Sequence, residues 1–370
     1  MRVMVSFELD TLTKAWPDIR VEVSLSAEPG HSLAIAGPSG CGKSTVLRMA
    51  AGLLRPDSGR VLVAGRDVTR DEPSDRGIGM VFQDYALFPH LDVGGNVAYG
   101  LRCSSGNRRL GRTSIEARVS QLLASVDLAG FEHRRPHELS GGERQRVALA
   151  RTLAVAPRVV LFDEPLSSLD AALRKRLRAD LVDEQRRLGF TAVYVTHDLE
   201  EAMSIGDTLA IMDGGRVLQC EPPSVLWSHP ASVAVARFVG SGPTLRMQGS
   251  PGRTGSIPCV ATAAGSFVLD AAALSDYERI TAAGEQPFLY FERSAARPLR
   301  APSGQPSPSY FDASCVRTEF AGDTVDCVMN SGGEIFSIRL PREQAPHAGE
   351  RLRYHVAADR VGIIPDIRTH

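Results

Sequence analysis

The chain is short of net charge: 42 lysines and arginines meet 43 aspartates and glutamates across 370 residues, leaving −1 with histidine neutral. Without a basic excess, nothing in the composition advertises nucleic acid or anionic lipid as a partner. Long apolar runs are missing too. No segment approaches the roughly 18 consecutive apolar residues that cross a bilayer as a helix. The opening Met1-Arg2-Val3-Met4-Val5-Ser6-Phe7-Glu8-Leu9-Asp10 lacks the apolar core and cleavage pattern of a secretory signal. The six cysteines, Cys41, Cys103, Cys220, Cys259, Cys315 and Cys327, show no C-x-x-C spacing. That argues against a disulfide or zinc framework and for free thiols in a reducing compartment. No internal repeat of solenoid period is present. What remains, 43% hydrophobic and 23% charged residues, is the composition of a soluble, cytosolic globular protein with room for about two domains.

Against that plain background, Gly37-Pro38-Ser39-Gly40-Cys41-Gly42-Lys43-Ser44 reads G-x-x-x-x-G-K-S. The apolar Ser32-Leu33-Ala34-Ile35-Ala36 before it reads as a buried strand, and Thr45 to Leu53 after it as a helix opening. Glycines let backbone N–H groups curl around an anion, and the helix N-terminus adds the positive end of its dipole. In that frame Lys43 reaches the terminal phosphates of a nucleotide and the Ser44 hydroxyl ligates Mg²⁺. A chance glycine-rich turn has no reason to carry both flanks.

Short apolar runs at Gly77–Phe82, Arg158–Asp163, Thr191–Thr196 and Asp207–Met212 suit strands buried on both faces. Between them lies helical periodicity, with Leu173, Leu177 and Leu181 at i, i+4 and i+8 and a stop at Gly189. The alternation predicts an α/β fold with a largely parallel sheet. Tyr85 to Arg135 carries no strand signal and reads as a helical insertion. After Gly240, Ser241-Gly242-Pro243 and Ser250-Pro251-Gly252 read as a linker. Further on, Val325, Cys327 and Met329, then Asn330-Ser331-Gly332-Gly333, then Phe336, Ile338 and Leu340, make a hairpin signature. With the Pro/Ser-rich 301–308 between strand groups, a small β-barrel domain fits this end of the chain.

Other residues must say which nucleotide chemistry this is. Asp163 ends an apolar strand, where it can hold Mg²⁺, and Glu164 follows, where it can polarise an attacking water. Gln83 after Met80-Val81-Phe82 can touch the metal or the water, and His197 after Val193-Tyr194-Val195-Thr196 can bond the terminal phosphate. Taken singly, a surface glutamine and a strand-end histidine have plainer explanations. Leu139-Ser140-Gly141-Gly142-Glu143-Arg144-Gln145-Arg146 adds a second helix N-terminus able to face an anion. Ser140 and Glu143 there also have the spacing of a capping box, which leaves the paired glycines unexplained.

These residues together resemble the nucleotide-binding subunits of ABC transporters, over about Leu9 to Gly240. Leu139 to Gln145 matches the family signature, Gln83 the Q-loop, Ser167-Ser168-Leu169-Asp170 the D-loop, His197 the switch histidine, and Trp16 the aromatic that stacks on adenine. The resemblance implies a P-loop NTPase cassette over 1–240 with a helical subdomain at about 85–157. A linker (241–256) and a small all-β, oligonucleotide-fold-like domain (257–370) of regulatory type then follow. ATP and Mg²⁺ are the implied cofactors. Gly37, Pro38, Ser39, Gly40, Cys41, Gly42, Lys43, Ser44 and Thr45 would cradle the phosphates, Ser44, Gln83 and Asp163 the metal, and Glu164, Gln83 and His197 would serve hydrolysis. Ser140, Gly141 and Gly142 would act on the ATP of a second copy in a head-to-tail homodimer.

Gln83 to Leu91 further resembles importers of the iron(III), polyamine, thiamine, phosphonate, sulfate and sugar group. That implies separate transmembrane permease subunits docking near Leu87, Phe88 and Leu91, expected to be exposed. It also implies an extracytoplasmic solute-binding protein as an indirect partner, and a peripheral place on the cytoplasmic face of the inner membrane. Three features depart from the usual pattern: Ser168 in the D-loop, Gly95 before Asn96, and Phe291-Glu292-Arg293 in the β domain. The alternatives are a soluble ABC ATPase acting on nucleic acid or ribosomes and an exporter cassette. The first usually carries two cassettes or zinc-binding cysteines, and the second usually lacks a long β extension. Near-neutral charge and the want of a basic, aromatic strand argue against nucleic acid.

Overall fold

The computed structural model describes residues 6–103, 111–167, 171–254, 257–299 and 309–366. Most of the D-loop, residues 168–170, lies outside them. The chain divides into two compact units, Met1–Pro223 and Ser224–His370.

In the first unit, β1 (Phe7–Ala15), β2 (Arg20–Ala27), β3 (Ser32–Ala36), β4 (Ser58–Val63), β5 (Arg66–Asp67), β6 (Ile78–Val81), β7 (Val159–Asp163), β8 (Thr191–Thr196), β9 (Thr208–Asp213) and β10 (Arg216–Glu221) form one sheet. Its order is β5-β4-β1-β2-β10-β9-β3-β8-β7-β6. The stretch β9-β3-β8-β7-β6 is parallel. Its strands are apolar throughout because both faces are covered. Leu33, Ile35, Leu161, Val193 and Val195 enter one core, while the alternate residues Val160, Phe162, Ala192 and Tyr194 enter the other. The rest of the sheet is a mainly antiparallel flank built on β1–β2, β1–β4, β4–β5 and β9–β10, with β2 meeting β10 in parallel. The sequence reading did not reach it, although Val21, Val23, Leu25 and Ala27 alternate as a half-buried strand should.

The helices α1 (Lys43–Ala51), α2 (Val93–Cys103), α3 (Arg112–Ser125), α4 (Gly141–Ala154), α5 (Ala171–Leu188) and α6 (Leu199–Ile205) cover that sheet. α1 lays Val46, Leu47, Met49 and Ala50 on the first core. α2, α3 and α4 share the second core, so the expected helical insertion is present. α3 contributes Ile115, Val119, Leu122 and Leu123, a stripe at helical spacing. The buried Arg76 closes the C-terminal end of α1, its guanidinium donating to the carbonyls of Met49 (2.9 Å), Ala50 (3.0 Å), Thr69 (2.7 Å) and Asp71 (3.0 Å). A cation there satisfies terminal carbonyls and opposes the negative end of the dipole.

The second unit contains α7 (Pro223–Ser228, from its second residue), α8 (Val233–Val239), α9 (Ala271–Ala282) and eleven strands among the described residues. The strands are β11 (Thr244–Arg246), β12 (Gly252–Thr254), β13 (Ile257–Ala261), β14 (Gly265–Val268), β15 (Pro287–Phe291), β16 (Arg297–Leu299), β17 (Tyr310–Ala321), β18 (Thr324–Ser331), β19 (Glu334–Pro341), β20 (Arg351–His355) and β21 (Val361–Pro365). One sheet runs β11-β15-β21, the other β12-β13-β14-β17-β18-β19, with β20 on β17 and β16 on β20. The predicted hairpin is β18–β19, pairing Cys327 with Ile338 and Met329 with Phe336. Phe267, Phe291, Phe311, Phe336 and Tyr354 stack through its core.

Two boundaries differ from the sequence expectation. The units part at 223/224 and not at 240, because Val233 and Ala236 of α8 pack with Tyr290 and Ile364. Residues 241–256 are no bare linker: they carry β11 and β12, and Leu245 and Met247 are buried in the second unit's core.

Candidate active site

The phosphate loop joins the C-terminal end of β3 to α1, at the edge where parallel strands end. Two of its glycines are there for steric reasons. A Cβ on Gly37 would lie 2.1 Å from the Met212 carbonyl oxygen, and Gly42 caps α1 at φ 103, a conformation that L side chains avoid. Lys43 is buried, and its ammonium donates to the carbonyls of Gly37 (2.8 Å) and Pro38 (2.9 Å), folding the loop around its own side chain. Ser39 and Gly40 are exposed, while Ser44 and Thr45 are half-buried. Cys41 is 4% exposed, and burial pushes its thiol above the usual range against the pull of Lys43. The thiol therefore offers reagents little access.

The acids sit at the end of β7. Asp163 Oδ1 accepts from Ser44 Oγ at 3.2 Å, which brings the two expected metal ligands together. Burial raises the Asp163 pKa, opposed by that hydrogen bond and by Arg48 and Lys43. Glu164 stands at φ 47, its N–H donating to the Val195 carbonyl of β8 at 2.9 Å. A non-glycine residue in the left-handed region costs on the order of 1–2 kcal/mol. Its carboxylate Oε2 lies 3.1 Å from His197 Nδ1. Gln83 Nε2 donates to Ser167 Oγ (3.0 Å), whose hydroxyl donates to the Glu164 carbonyl (3.0 Å). Gln83 is thus tied through Ser167, a residue the sequence does not mark as part of the site, to the backbone of Glu164, whose carboxylate in turn contacts His197.

Ser140 caps α4, its Oγ accepting from the Glu143 N–H (3.3 Å) while the Glu143 carboxylate takes the Ser140 N–H (2.7 Å). The Ser140 N–H, with the Ser140 hydroxyl beside the same carboxylate, holds the Glu143 pKa below its usual value. The capping box predicted from sequence is real, and Gly142 is tight against Leu177, where a Cβ would meet Cδ2 at 2.8 Å. Among the described residues no hydrogen bond joins Ser140, Gly141 or Gly142 to the phosphate loop. Trp16 follows β1, 39% exposed, with its backbone N–H on the Ile19 carbonyl, and among the described residues no ring contact ties it to the loop.

The ABC transporter family profile matches residues 21–167. An Fe(3+) ions import ATP-binding protein of Brucella abortus is 40% identical over 326 residues, 87% of this chain and 87% of that protein. The chain belongs to the ATP-binding subunits of ABC transporters. A second Fe(3+) ions import ATP-binding protein, from Rhizobium meliloti, is 52% identical over 219 residues, 59% of the cassette chain and 61% of its relative's length. A sulfate/thiosulfate import ATP-binding protein of Gloeobacter violaceus is 47% identical over 65% of the chain and 70% of its own. Among solved structures, cbiO1 from Clostridium perfringens, part of an ABC transporter complex, superposes with a TM-score of 0.55 at 28% identity, covering 64% of this chain and 95% of that one. An ATP-binding cassette in its ADP conformation shares the fold, with a TM-score of 0.56 at 24% identity over 63% of this chain and 99% of that one.

The cassette corrects one expectation about its insertion. Leu87, Phe88 and Leu91 are half-buried and not exposed. Leu87 packs on the second core and Phe88 lies 4.4 Å from the Tyr99 ring, centroid to centroid. The exposed aromatics nearby are Phe82 and Tyr99.

Proposed function

We propose that this chain hydrolyses ATP as the energy-coupling subunit of a solute importer, bound peripherally to permease subunits on the cytoplasmic face of the inner membrane. The observation that carries the reading is the Glu164–His197 contact beside the Ser44–Asp163 pair, next to a loop built to hold phosphate. Glu164 polarises the attacking water, His197 bonds the terminal phosphate, and Lys43 with the α1 N-terminus stabilises charge developing on it. Ser44, Asp163 and Gln83 would hold Mg²⁺, which when bound neutralises phosphate charge. Asp163 fits that part, a half-buried carboxylate at the end of β7 within 3.2 Å of the Ser44 hydroxyl. Among the described residues no three His, Cys, Asp or Glu side chains cluster as a self-sufficient metal site. This too suits an ion that keeps water and phosphate ligands.

Among the described residues Ser140, Gly141 and Gly142 make no hydrogen bond to the phosphate loop of their own chain, which supports a second copy as the one they serve. Among the described residues no helix is long and apolar enough to cross a membrane, so transport needs membrane-spanning partners. A cavity of about 510 Å³ between α2 and α3, floored by Leu91, Ala98, Ile115 and Val119 beside Gly95, supports docking of a permease segment. The cargo we favour is a small inorganic ion or polar solute of the iron(III) type, with polyamine, thiamine and phosphonate as the neighbouring choices. It would be delivered by an extracytoplasmic solute-binding protein, and the second unit would serve regulation. Glu164→Gln tests the core of this reading. Phosphate release should fall by about 10²-fold or more, ATP binding should persist, and an ATP-trapped dimer should accumulate on size exclusion. Hydrolysis equal to the parent's would remove Glu164 as the base.

A further inference from the structure

Gln83 is followed by a turn that is strained twice over: Tyr85 has φ 62 and Ala86 φ 44, two consecutive non-glycine residues in the left-handed region. Such a turn persists only where its surroundings over-determine it. Arg151, on the third turn of α4, supplies the restraint. Its two terminal nitrogens donate to the carbonyls of Ala86 (2.6 Å) and Tyr85 (2.9 Å), and its guanidinium carbon lies 5.7 Å from the centroid of the Phe88 ring. Burial pulls the Arg151 pKa down, opposed by Asp84. From the other side, the buried Tyr85 donates its hydroxyl to the Pro165 carbonyl at 3.3 Å, one residue past Glu164. The turn is therefore stitched both to the helix that Ser140-Gly141-Gly142 opens and to the segment that carries Glu164.

We infer that Arg151 is a positioning residue for hydrolysis. Its planar fork holds Tyr85 and Ala86 in their left-handed conformation, sets where Gln83 presents its amide, and makes α4 and Gln83 move together. Lysine cannot reproduce this, because a single ammonium on a flexible stem lacks the fixed two-pronged geometry. The role rests on the ATPase reading above, and it does not repeat it: the Arg151 guanidinium serves the carbonyls of the turn and not the phosphate loop.

The test uses the full chain with Arg151→Lys, Ala86→Gly and the double variant. Three readouts apply: hydrogen exchange of the 83–88 amides, ATP binding, and phosphate release titrated with Mg²⁺. In Arg151→Lys, exchange at 83–88 should rise with the rest of the chain unchanged. The kcat should fall at least about tenfold, near 1.4 kcal/mol in the barrier. The Mg²⁺ concentration for half activity should rise, with ATP binding within about twofold of the parent. Ala86→Gly removes the strain the clamp opposes, so the double variant should recover much of the lost kcat. Unchanged exchange at 83–88 in Arg151→Lys overturns the clamp whether or not the chain hydrolyses ATP. A loss of activity that tracks global stability, with no Mg²⁺ shift and no recovery in the double variant, overturns it equally. If the parent's hydrolysis is insensitive to Glu164→Gln, the ATPase reading fails, and the exchange data still decide the clamp.

Discussion

One methyl group placed on Gly37 should disable nucleotide binding without unfolding the protein. A Cβ there would lie 2.1 Å from the Met212 carbonyl oxygen and 2.9 Å from Cys41 Sγ. Met212 is a ladder residue of β9 opposite Val217, so its backbone cannot retreat cheaply. The loop must yield instead, by more than about 1 Å to reach ordinary contact, and a displacement of that order at a reacting or binding group costs about 10²-fold. The Gly37 carbonyl also anchors Lys43 at 2.8 Å, so the same shift unseats the ammonium. We expect Gly37→Ala to weaken ATP binding about 10²-fold, roughly 2.7 kcal/mol, read by titrating fluorescent ATP in the presence of Mg²⁺. Gly40→Ala is the control. Nothing lies within 4 Å of its Cβ, so only its φ of 84 opposes the change. That cost is about 1–2 kcal/mol of backbone strain. Gly37→Ala binding ATP within twofold of the parent would refute the steric argument.

Two further outcomes can be checked. His197→Ala and Glu164→Gln should be non-additive in kcat, the double variant being no slower than Glu164→Gln by more than about threefold, because the side chains touch and act as a unit. A multiplicative loss in steady-state phosphate release would show that they act separately. The second concerns Glu184 of α5, which is 7% exposed and whose pKa is pushed up to about 7 by burial, with Arg146 and Arg187 opposing and Asp127 and Asp180 adding to the rise. Its folded pKa exceeds the unfolded one, so the folded chain holds an extra proton between about pH 4.5 and 7. Stability should therefore fall as pH rises through that window, by up to about 3 kcal/mol. Glu184→Gln should flatten that slope in thermal unfolding of the first unit, and an unchanged slope would exclude Glu184 as its source.

Local chemistry made the phosphate loop, the α4 cap and the buried strands legible. Ser32–Ala36 is β3 to the residue, and Ser140 with Glu143 forms the predicted box. Motif context makes Asp163 and Ser44 each a candidate metal ligand, and the structure adds their mutual contact. What sequence could not give was long-range. Arg76 and Arg151 look like ordinary charged residues, and only the fold shows that each serves carbonyls of another segment. The antiparallel flank is less legible because its strands are half polar and lack the continuous apolar runs of the buried strands, even where, as in Val21, Val23, Leu25 and Ala27, they alternate. Ser241-Gly242-Pro243 looked like a linker because turn residues dominate it, although Leu245 and Met247 just beyond are core residues. Leu87, Phe88 and Leu91 looked exposed because the ring partner of Phe88, Tyr99, lies eleven residues away on α2.

Glu164 has a consequence for anyone engineering this chain. Its backbone geometry favours glycine, whereas the role proposed for it requires a carboxylate. A search that scores thermal stability alone would accept Glu164→Gly as an improvement, since it relieves the strain and sacrifices only a partly exposed contact to His197. Gains in melting temperature at this one position would then report loss of turnover, and a stabilised variant should be screened for hydrolysis before its stability is believed.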